Sequence, residues 1–380
     1  MEQTWISAHP ARPEQLIFKR PQSNEVFQPG DILYRMGRDA IYHGLKALAA
    51  TGDSRDTVLV PSFHCASQID AAEAAGLRCA FYPLNPDATV DLEQLASRIT
   101  DDVLTVMVIH YYGWPLDIDG LTRLAEARRV TLFEDCALAL FSQYKGQPVG
   151  RFGGLSIFSL RKSLPVRDGG ILRINRPELR ADPPVRTHSS LRPAVGALAR
   201  ALGARKLVQW GKALVGRKSN GHSQAEEAAP YSPEALEQGG ERKPDFDVEL
   251  SDVGISSFSS YIARRARPEQ VVERRRSIYR RLDEELRGHP GYAPLFHDLP
   301  DGVCPLSLVI VHPRRDEVEH NLRESDVEAY CFGRYPHPRL DVEQYPETRV
   351  LCDQTLALPV HQDLTDVEVE RVARAIHATL

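Results

Sequence analysis

The sequence predicts an α/β protein, with a mostly parallel sheet in a large N-terminal domain and a smaller α+β domain after it. Three observations lead to this fold class. Between residues 38 and 175, runs rich in β-branched residues alternate with helical stretches, which is typical of a parallel sheet covered on both faces. The 380 residues exceed what one hydrophobic core usually holds. Beyond residue 250, further strands and helices indicate the second domain, so we expect domains at 1–250 and 251–380.

The strand and helix segments of the large domain follow one another in a regular order. They are DAIYHGLKALAATG, TVLVPSF, SQIDAAEAAG, RCAFYPL, DLEQLASRI, VLTVMVI, DGLTRLAEARRV and TLFED. Ligands of such sheets bind beyond the carboxyl ends of the strands. Site residues are therefore expected within 61–65, 110–115 and 134–138, and in the stretch SLRKSLPVRDGG that begins at Ser159.

An insertion of about residues 183–243 interrupts this pattern. Its first part, residues 186–218, carries basic residues but no acid, and its apolar residues recur at helical spacing. We predict a basic amphipathic helix there, followed by a polar linker at residues 219–243. Two interpretations of the helix stay open: a wall over the substrate site, or a peripheral contact with an anionic membrane surface.

The small domain begins with the charged segment SSYIARRARPEQVVERRRSIYRRLDEEL, which predicts one long helix. The segments LSLVIVHP and TLALPV are apolar and predict strands. Thr365 and Glu368 form the pattern of a capping box, so the closing helix DVEVERVARAIHATL should begin between them.

Composition narrows the function classes. The net charge of −5, with both signs mixed along the chain, gives no electrostatic case for nucleic-acid binding. The six scattered cysteines lack the spacing of a zinc or redox motif, so we expect reduced thiols, no metal site and a cytoplasmic location. No apolar stretch of membrane-spanning length and no signal-type start is present, which predicts a soluble, unexported protein. The phosphate loop, dinucleotide fingerprint, nucleophile elbow and HExxH motif are also absent.

Three stretches together resemble the DegT/DnrJ/EryC1/StrS family of sugar aminotransferases in order and spacing. They are HYYGWPLDIDGLTRLAEARRVTLFEDCA, the stretch that ends in DGG, and LALPVHQDLTDVEVERV. The segment SDVGISSFSSYIARRARPEQVVERRR is similar to the family's helix after the active-site loop. The resemblance implies a fold type I enzyme that uses pyridoxal 5'-phosphate (PLP). It also implies a homodimer in which the partner chain completes each cofactor phosphate site.

The resemblance places Lys162 and Asp135 at the two catalytic positions. A lysine at a strand end is usually a surface charge, but here Lys162 is expected to form a Schiff base with the cofactor aldehyde and then to move a proton. Its amine is nucleophilic only if burial and nearby positive charge lower its pKa. Asp135 is expected to hold the ring nitrogen protonated, although an aspartate there could also cap a helix. Glu134 beside it is predicted to be structural.

The cofactor phosphate is expected at the start of the first large helix. Ser159 resembles the family serine that contacts this phosphate. Gly37, Arg38 and Asp39 take the place of the family's phosphate turn, where free helix amides attract an anion. Arg38 could add a charge-assisted hydrogen bond, or could be an ordinary surface arginine.

Three positions near the cofactor depart from the family pattern. The aromatic residue that often stacks on the cofactor ring is replaced by Cys65. We predict that neighbouring His64 covers the ring face, with a packing role as the alternative. Leu138 stands where a glutamine is common, and Asp247 where an asparagine usually reaches the partner's phosphate.

The predicted function is transfer of an amino group, with glutamate as donor, to a nucleotide-linked keto sugar in polysaccharide or secondary-metabolite biosynthesis. Tyr335 and His337 are the expected substrate contacts. Two alternatives remain: another PLP-dependent reaction on a small amine or amino acid, suggested by Leu138, Arg38 and Cys65, or a non-catalytic scaffold that keeps only the fold.

Overall fold

The computed structural model describes residues 5–21, 26–187 and 245–380, together with positions 194, 197, 198 and 201. The predicted basic helix at 186–218 lies almost entirely outside the described residues, and the predicted linker at 219–243 lies wholly outside them.

Eleven strands are described between residues 32 and 359. In chain order they are β1 (Ile32–Tyr34), β2 (Thr57–Pro61), β3 (Arg78–Tyr82), β4 (Val103–Ile109), β5 (Thr131–Asp135), β6 (Gln143–Tyr144), β7 (Gln147–Pro148), β8 (Leu155–Ser159), β9 (Gly170–Ile174), β10 (Ser307–Val311) and β11 (Thr355–Pro359). Seven of them form one sheet in the order β1-β9-β8-β5-β4-β2-β3. Strands β2, β3, β4, β5 and β8 pair in parallel, and β9 is antiparallel to both neighbours. The predicted mostly parallel sheet is confirmed.

Helices follow the strands of the sheet as the alternation predicted. They are α1 (Gly37–Ala49), α2 (Ala66–Ala74), α3 (Leu92–Arg98), α4 (Ile118–Arg128) and the one-turn α5 (Leu160–Ser163). Buried side chains divide between the two faces: Leu59 packs into one cluster, whereas Val58 and Val60 pack into another. Because alternate strand residues point to opposite faces, both faces of the sheet are covered and its central strands read as continuous apolar runs.

The C-terminal region packs helices on the antiparallel pair β10 and β11. Its helices are α6 (Ser257–Ala263), α7 (Pro268–Leu286), α8 (Arg315–Glu324), α9 (Pro346–Gln354) and α10 (Asp366–Thr379). The capping box of α10 is confirmed, since the Thr365 side chain accepts from the amide of Glu368. The single long helix predicted across α6 and α7 is wrong. Pro268 opens α7, and Arg267 before it is extended, as the residue before a proline prefers.

Two segments pack across the predicted domain boundary at residue 250. Ile6 forms a bridge with Val327 and packs into the C-terminal core, so the N-terminal segment belongs with the small unit. Ile262 of α6 instead packs with Phe158 of β8, against the large sheet. Among the described helices, none is both long and apolar enough to span a membrane.

Candidate active site

A cavity of about 620 Å³, measured with its open mouth, lies at the carboxyl ends of β4, β5 and β8. Such an edge is where ligands of parallel sheets bind. The residues that line it are Met36, Gly37, Arg38, Ile41, Cys65, Ser67, Gln68, Ile109, Asp135, Ala137, Leu138, Ile157, Ser159, Arg161, Lys162, Asp245 and Phe332. Of the predicted site residues, the fold therefore brings together Gly37, Arg38, Cys65, Asp135, Ser159 and Lys162.

Lys162 occupies the one-turn helix that follows β8, and its ammonium lies 5.6 Å from the centre of the Phe332 ring. The side chain keeps some solvent contact, yet the surrounding protein lowers its pKa below the usual lysine value. Burial is the main cause, and Arg161 adds to it, whereas Cys65 and Asp135 oppose it. A larger share of neutral amine is the condition for a lysine nucleophile or base.

The Gly-Gly pair of the quoted stretch shapes the turn that carries the lysine. Gly169 has a φ of +127°, a conformation that side chains rarely adopt, and its carbonyl accepts from the amide of Leu160 at 2.8 Å. At Gly170 an added Cβ would lie 2.1 Å from the carbonyl oxygen of Met36. Glycine is therefore required for β9 to lie against the start of α1, beside the lysine turn.

The C-terminal region also holds this turn. The carbonyl of Ser163, directly after Lys162, accepts from Arg275 Nη2 at 3.2 Å and from Gln362 Nε2 at 3.0 Å. Arg275 is 1% exposed, and its other described hydrogen bonds go to uncharged oxygens. The lysine-bearing turn is thus fixed from both the sheet and the small unit.

Asp135 ends β5 and faces the cavity with its carboxylate. Its Oδ1 accepts from the amide of Ala137 at 2.8 Å, and its Oδ2 accepts from Gln68 Nε2. Burial raises the pKa of Asp135, while Lys162 and these two hydrogen bonds oppose the rise. The Gln68 carbonyl in turn accepts from the amide of Cys65 at 3.0 Å, which sets the orientation of the amide group. Sequence reasoning missed Gln68, whose only signal was an amide in the first turn of the helix after β2.

Ser159, Gly37 and Arg38 meet at the start of α1, as predicted for the phosphate end. A Cβ on Gly37 would be in contact with Ser159 Cβ at 3.5 Å, so the helix start and the strand end are neighbours. Arg38 is not a free surface arginine, because its guanidinium pairs with the carboxylate of Asp245 and also donates to that residue's carbonyl. Asp245 was missed because it follows the predicted linker, far from Arg38 in sequence.

The two other acids expected near the phosphate point elsewhere. Asp39 turns back to accept from the amide of Met36 at 3.0 Å, and burial raises its pKa to about 6. Asp247 accepts from the amide of Glu249 at 2.9 Å, at the start of a short 3-10 helix. Neither residue lines the cavity.

His64 is buried and turned away from the cavity. Its Nδ1 lies 3.1 Å and 2.9 Å from the carbonyls of Pro61 and Ser62, so this nitrogen carries the proton. Its Nε2 accepts from the amide of His337 at 3.3 Å, and its ring stacks on Phe81. Burial lowers the pKa of His64 to about 4, which keeps it neutral. The structure therefore gives His64 the packing role, and Cys65 lines the cavity instead.

The predicted substrate contacts also lie outside the lining residues. His337 is 2% exposed, and its Nε2 lies 3.4 Å from Asp70 Oδ1. Tyr335 is half-buried nearby in the chain. Phe332, three residues before Tyr335, is the part of this loop that reaches the cavity.

Glu134 lies on the opposite side of β5 from the cavity. It is fully buried, lies 3.1 Å from His110 Nε2, and accepts from the amides of residues 150, 152 and 153. Together with Cys136 these side chains come within 4.8 Å of one another, but the His110 nitrogens and the Glu134 oxygens are already hydrogen-bonded. The cluster is a hydrogen-bonded support for the strand end, which fits the structural role predicted for Glu134.

The sheet order, with a lysine and an aspartate at the carboxyl ends of neighbouring strands, defines an α/β enzyme of fold type I. More narrowly, the chain belongs to the DegT/DnrJ/EryC1/StrS aminotransferase family, whose model matches residues 34–192 and 261–377. The predictions of the family and of the fold class are confirmed.

Two relatives that resemble this chain each share less than a third of its residues in the aligned regions. The dTDP-4-dehydro-2,3,6-trideoxy-D-glucose 4-aminotransferase of Saccharopolyspora spinosa is 28% identical over 338 residues, 84% of this chain and 76% of that protein. The GDP-perosamine synthase of Escherichia coli O157:H7 is 28% identical over 178 residues, 46% of this chain and 48% of that protein. This chain thus matches about half the length of the latter. The solved aminotransferase TlmJ from Streptoalloteichus hindustanus superposes with a TM-score of 0.65 at 23% identity, covering 99% of this chain and 92% of that one.

Proposed function

We propose that the protein is a PLP-dependent aminotransferase that passes an amino group from glutamate to a keto sugar carried on a nucleotide. The observation that carries the proposal is the shared cavity of Lys162 and Asp135, in which the pKa of the lysine is lowered. The names of the relatives support the substrate class, since one is a dTDP-sugar aminotransferase and another a GDP-perosamine synthase.

The residues present fit PLP. Lys162 offers the amine that would hold the cofactor aldehyde, and Asp135 the carboxylate for the ring nitrogen. Ser159 and the first amides of α1 at Gly37 offer donors for the phosphate. Bound PLP supplies an electron sink for the substrate carbon that loses a proton.

Lys162 has two roles in this proposal. It would hold the cofactor, and once released its Nζ would move a proton between the substrate carbon and the cofactor carbon that had been joined to the lysine. Its lowered pKa favours the neutral amine that this base needs. Phe332 and Cys65 line the cavity around it.

A homodimer in the cytoplasm is part of the proposal. The Tyr261 hydroxyl donates to the carbonyl of Ile17 at 2.8 Å, which brings Tyr261 beside Phe18. These side chains are 40% and 68% exposed, and large apolar groups grouped on a surface favour a protein interface. We propose that a second copy of the chain contacts this face. Membrane contact through residues 186–218 stays a prediction.

The test uses protein purified with PLP. Glutamate and a panel of keto sugars linked to UDP, dTDP or GDP should yield an amino sugar nucleotide, detected by mass, and 2-oxoglutarate. The matched control is Lys162→Ala, which should yield neither product. Holoenzyme that converts only a small amine or amino acid would favour the alternative PLP reaction, and protein that binds no PLP would favour the scaffold.

A further inference from the structure

Arg161 lies at the mouth of the cavity, and among the described residues it has no counter-ion. Its side chain is exposed, lines the cavity and directly precedes Lys162 in the one-turn helix. Within the described ranges, no carboxylate or carbonyl pairs with it. The other arginine of the cavity, Arg38, is already paired with Asp245. Relative to the described part of the chain, Arg161 is therefore a cationic group that lines the cavity with its donors unused, next to the proposed reacting amine.

A neutral histidine from the N-terminal segment adjoins this arginine. The His9 ring lies 4.9 Å from the ring of Tyr330, centre to centre. Its pKa is lowered to about 3, mainly because burial disfavours the imidazolium and then because Arg161 and Lys162 repel a further proton. The positive charges of Arg161 and Lys162 therefore act on His9 and help to keep its ring neutral.

The position of His9 is well supported by the fold. The amide of Ala8 donates to the Glu328 carboxylate at 3.0 Å, and the amide of Ala11 donates to Asp363 at 2.9 Å. These contacts hold the N-terminal segment against the C-terminal unit on both sides of His9. His9 is therefore held in a fixed position against Tyr330 and the C-terminal unit.

We infer that Arg161 binds an oxyanion of the substrate at the mouth of the cavity. A guanidinium presents its N–H groups as a fork that matches a carboxylate or a phosphate. If the proposed function is correct, the oxyanion is either a carboxylate of the amino donor or a phosphate of the nucleotide. The site itself depends only on Arg161 and its surroundings.

The cofactor phosphate has a separate place in this arrangement. Ser159 and the start of α1 at Gly37 offer it neutral donors. Arg161 instead directly precedes Lys162 in the one-turn helix, beside the amine at which the substrate would react. This separation makes the inference testable, because loss of Arg161 should spare the affinity for PLP.

The experiment measures equilibrium binding to the holoenzyme by calorimetry at constant ionic strength. The probes are glutarate, a dicarboxylate that cannot react, and the diphosphates UDP, dTDP and GDP. The variants are Arg161→Gln and Arg161→Lys, and the matched control is Arg280→Gln, an exposed arginine of α7 outside the cavity. We expect Arg161→Gln to raise the Kd of one probe class at least tenfold, with a smaller rise for Arg161→Lys and none for the control. Weaker glutarate binding would assign the donor carboxylate, and weaker diphosphate binding the nucleotide.

The inference is overturned if Arg161→Gln binds every probe as the wild type does, or if the wild type binds none of them. It is also overturned if titration of the apo-protein with PLP shows that Arg161→Gln loses only cofactor affinity, because Arg161 would then be a cofactor ligand. The Tm of each variant checks folding. A wild type that binds a probe through Arg161 yet aminates no keto sugar would overturn the proposed function and leave the anion site in place.

Discussion

Glu134 and Asp135 are neighbours on one strand, and the fold treats their carboxylates in opposite ways. Glu134 is surrounded by His110 and three backbone amides, and these donors lower its pKa despite burial. Asp135, on the other face of β5, has the Ala137 amide and Gln68 as donors, and burial raises its pKa. The Glu134 carboxylate is saturated by hydrogen bonds from the protein, whereas the Asp135 carboxylate can still accept a hydrogen bond from a ligand in the cavity. The difference separates a structural acid from one prepared for a ligand.

If this division is correct, substitutions on the cavity face of β5 should change activity, and substitutions on the opposite face should change stability. The largest effect is expected for Lys162→Ala, which should lower turnover by about a thousandfold or more. The substitution removes both the amine that would hold the cofactor and the base that would move the proton. The Tm of its apo form should not fall, since the folded state lowers the pKa of Lys162 and so disfavours its ammonium form. Borohydride reduction followed by peptide mapping should find the pyridoxyl group on residue 162 of the wild type. A pyridoxyl group on another lysine would disprove the assignment.

Asp135→Asn should reduce kcat by about a hundredfold or more, since a carboxylate is replaced where charge has to be stabilised. Its folded-state pKa is raised, so ionised Asp135 costs stability at neutral pH, and this cost disappears as pH falls below the unfolded-state value. The variant should therefore be at least as stable as the wild type at pH 7 in urea unfolding. Turnover within a few-fold of the wild type would remove Asp135 from the mechanism.

Glu134→Gln should show the reverse pattern, losing about 1 to 3 kcal/mol of unfolding free energy at pH 7 because buried donors lose their anionic acceptor. The folded-state pKa of Glu134 is lowered, so its contribution is present above the unfolded-state value and is lost as pH falls through the folded-state value. The stability gap to the wild type should therefore narrow in acid. A gap that stays constant from pH 7 down to the acid range would contradict a charge-based role for Glu134.

The smallest effect is expected for Gln68→Ala, which removes one donor from Asp135 and leaves the carboxylate in place. We expect a roughly tenfold loss of kcat, as for one hydrogen bond to a charged group. The pKa of Asp135 should rise further, visible in the pH profile of kcat. The matched control Ser67→Ala changes a neighbouring side chain that lines the cavity but does not contact Asp135. Equal effects of the two substitutions would show that Gln68 only fills space.

Several features were already determined by the sequence alone. Alternating apolar segments predicted the parallel sheet, because each strand buried on both faces needs a continuous run of apolar residues. The order and spacing of three stretches led through the family resemblance to Lys162 and Asp135, which the fold places in one cavity. The capping box at Thr365 could be predicted because its contacts are local.

Only the tertiary structure decided which other side chains reach the cavity. His64 and Cys65 are adjacent in sequence, yet the turn after β2 sends His64 onto Phe81 and Cys65 to the site. His9 reaches the surroundings of Lys162 from more than a hundred residues away, because the N-terminal segment packs on the C-terminal unit. Such placements depend on long-range packing and on the direction of each side chain, and neither leaves a periodic signal in the sequence.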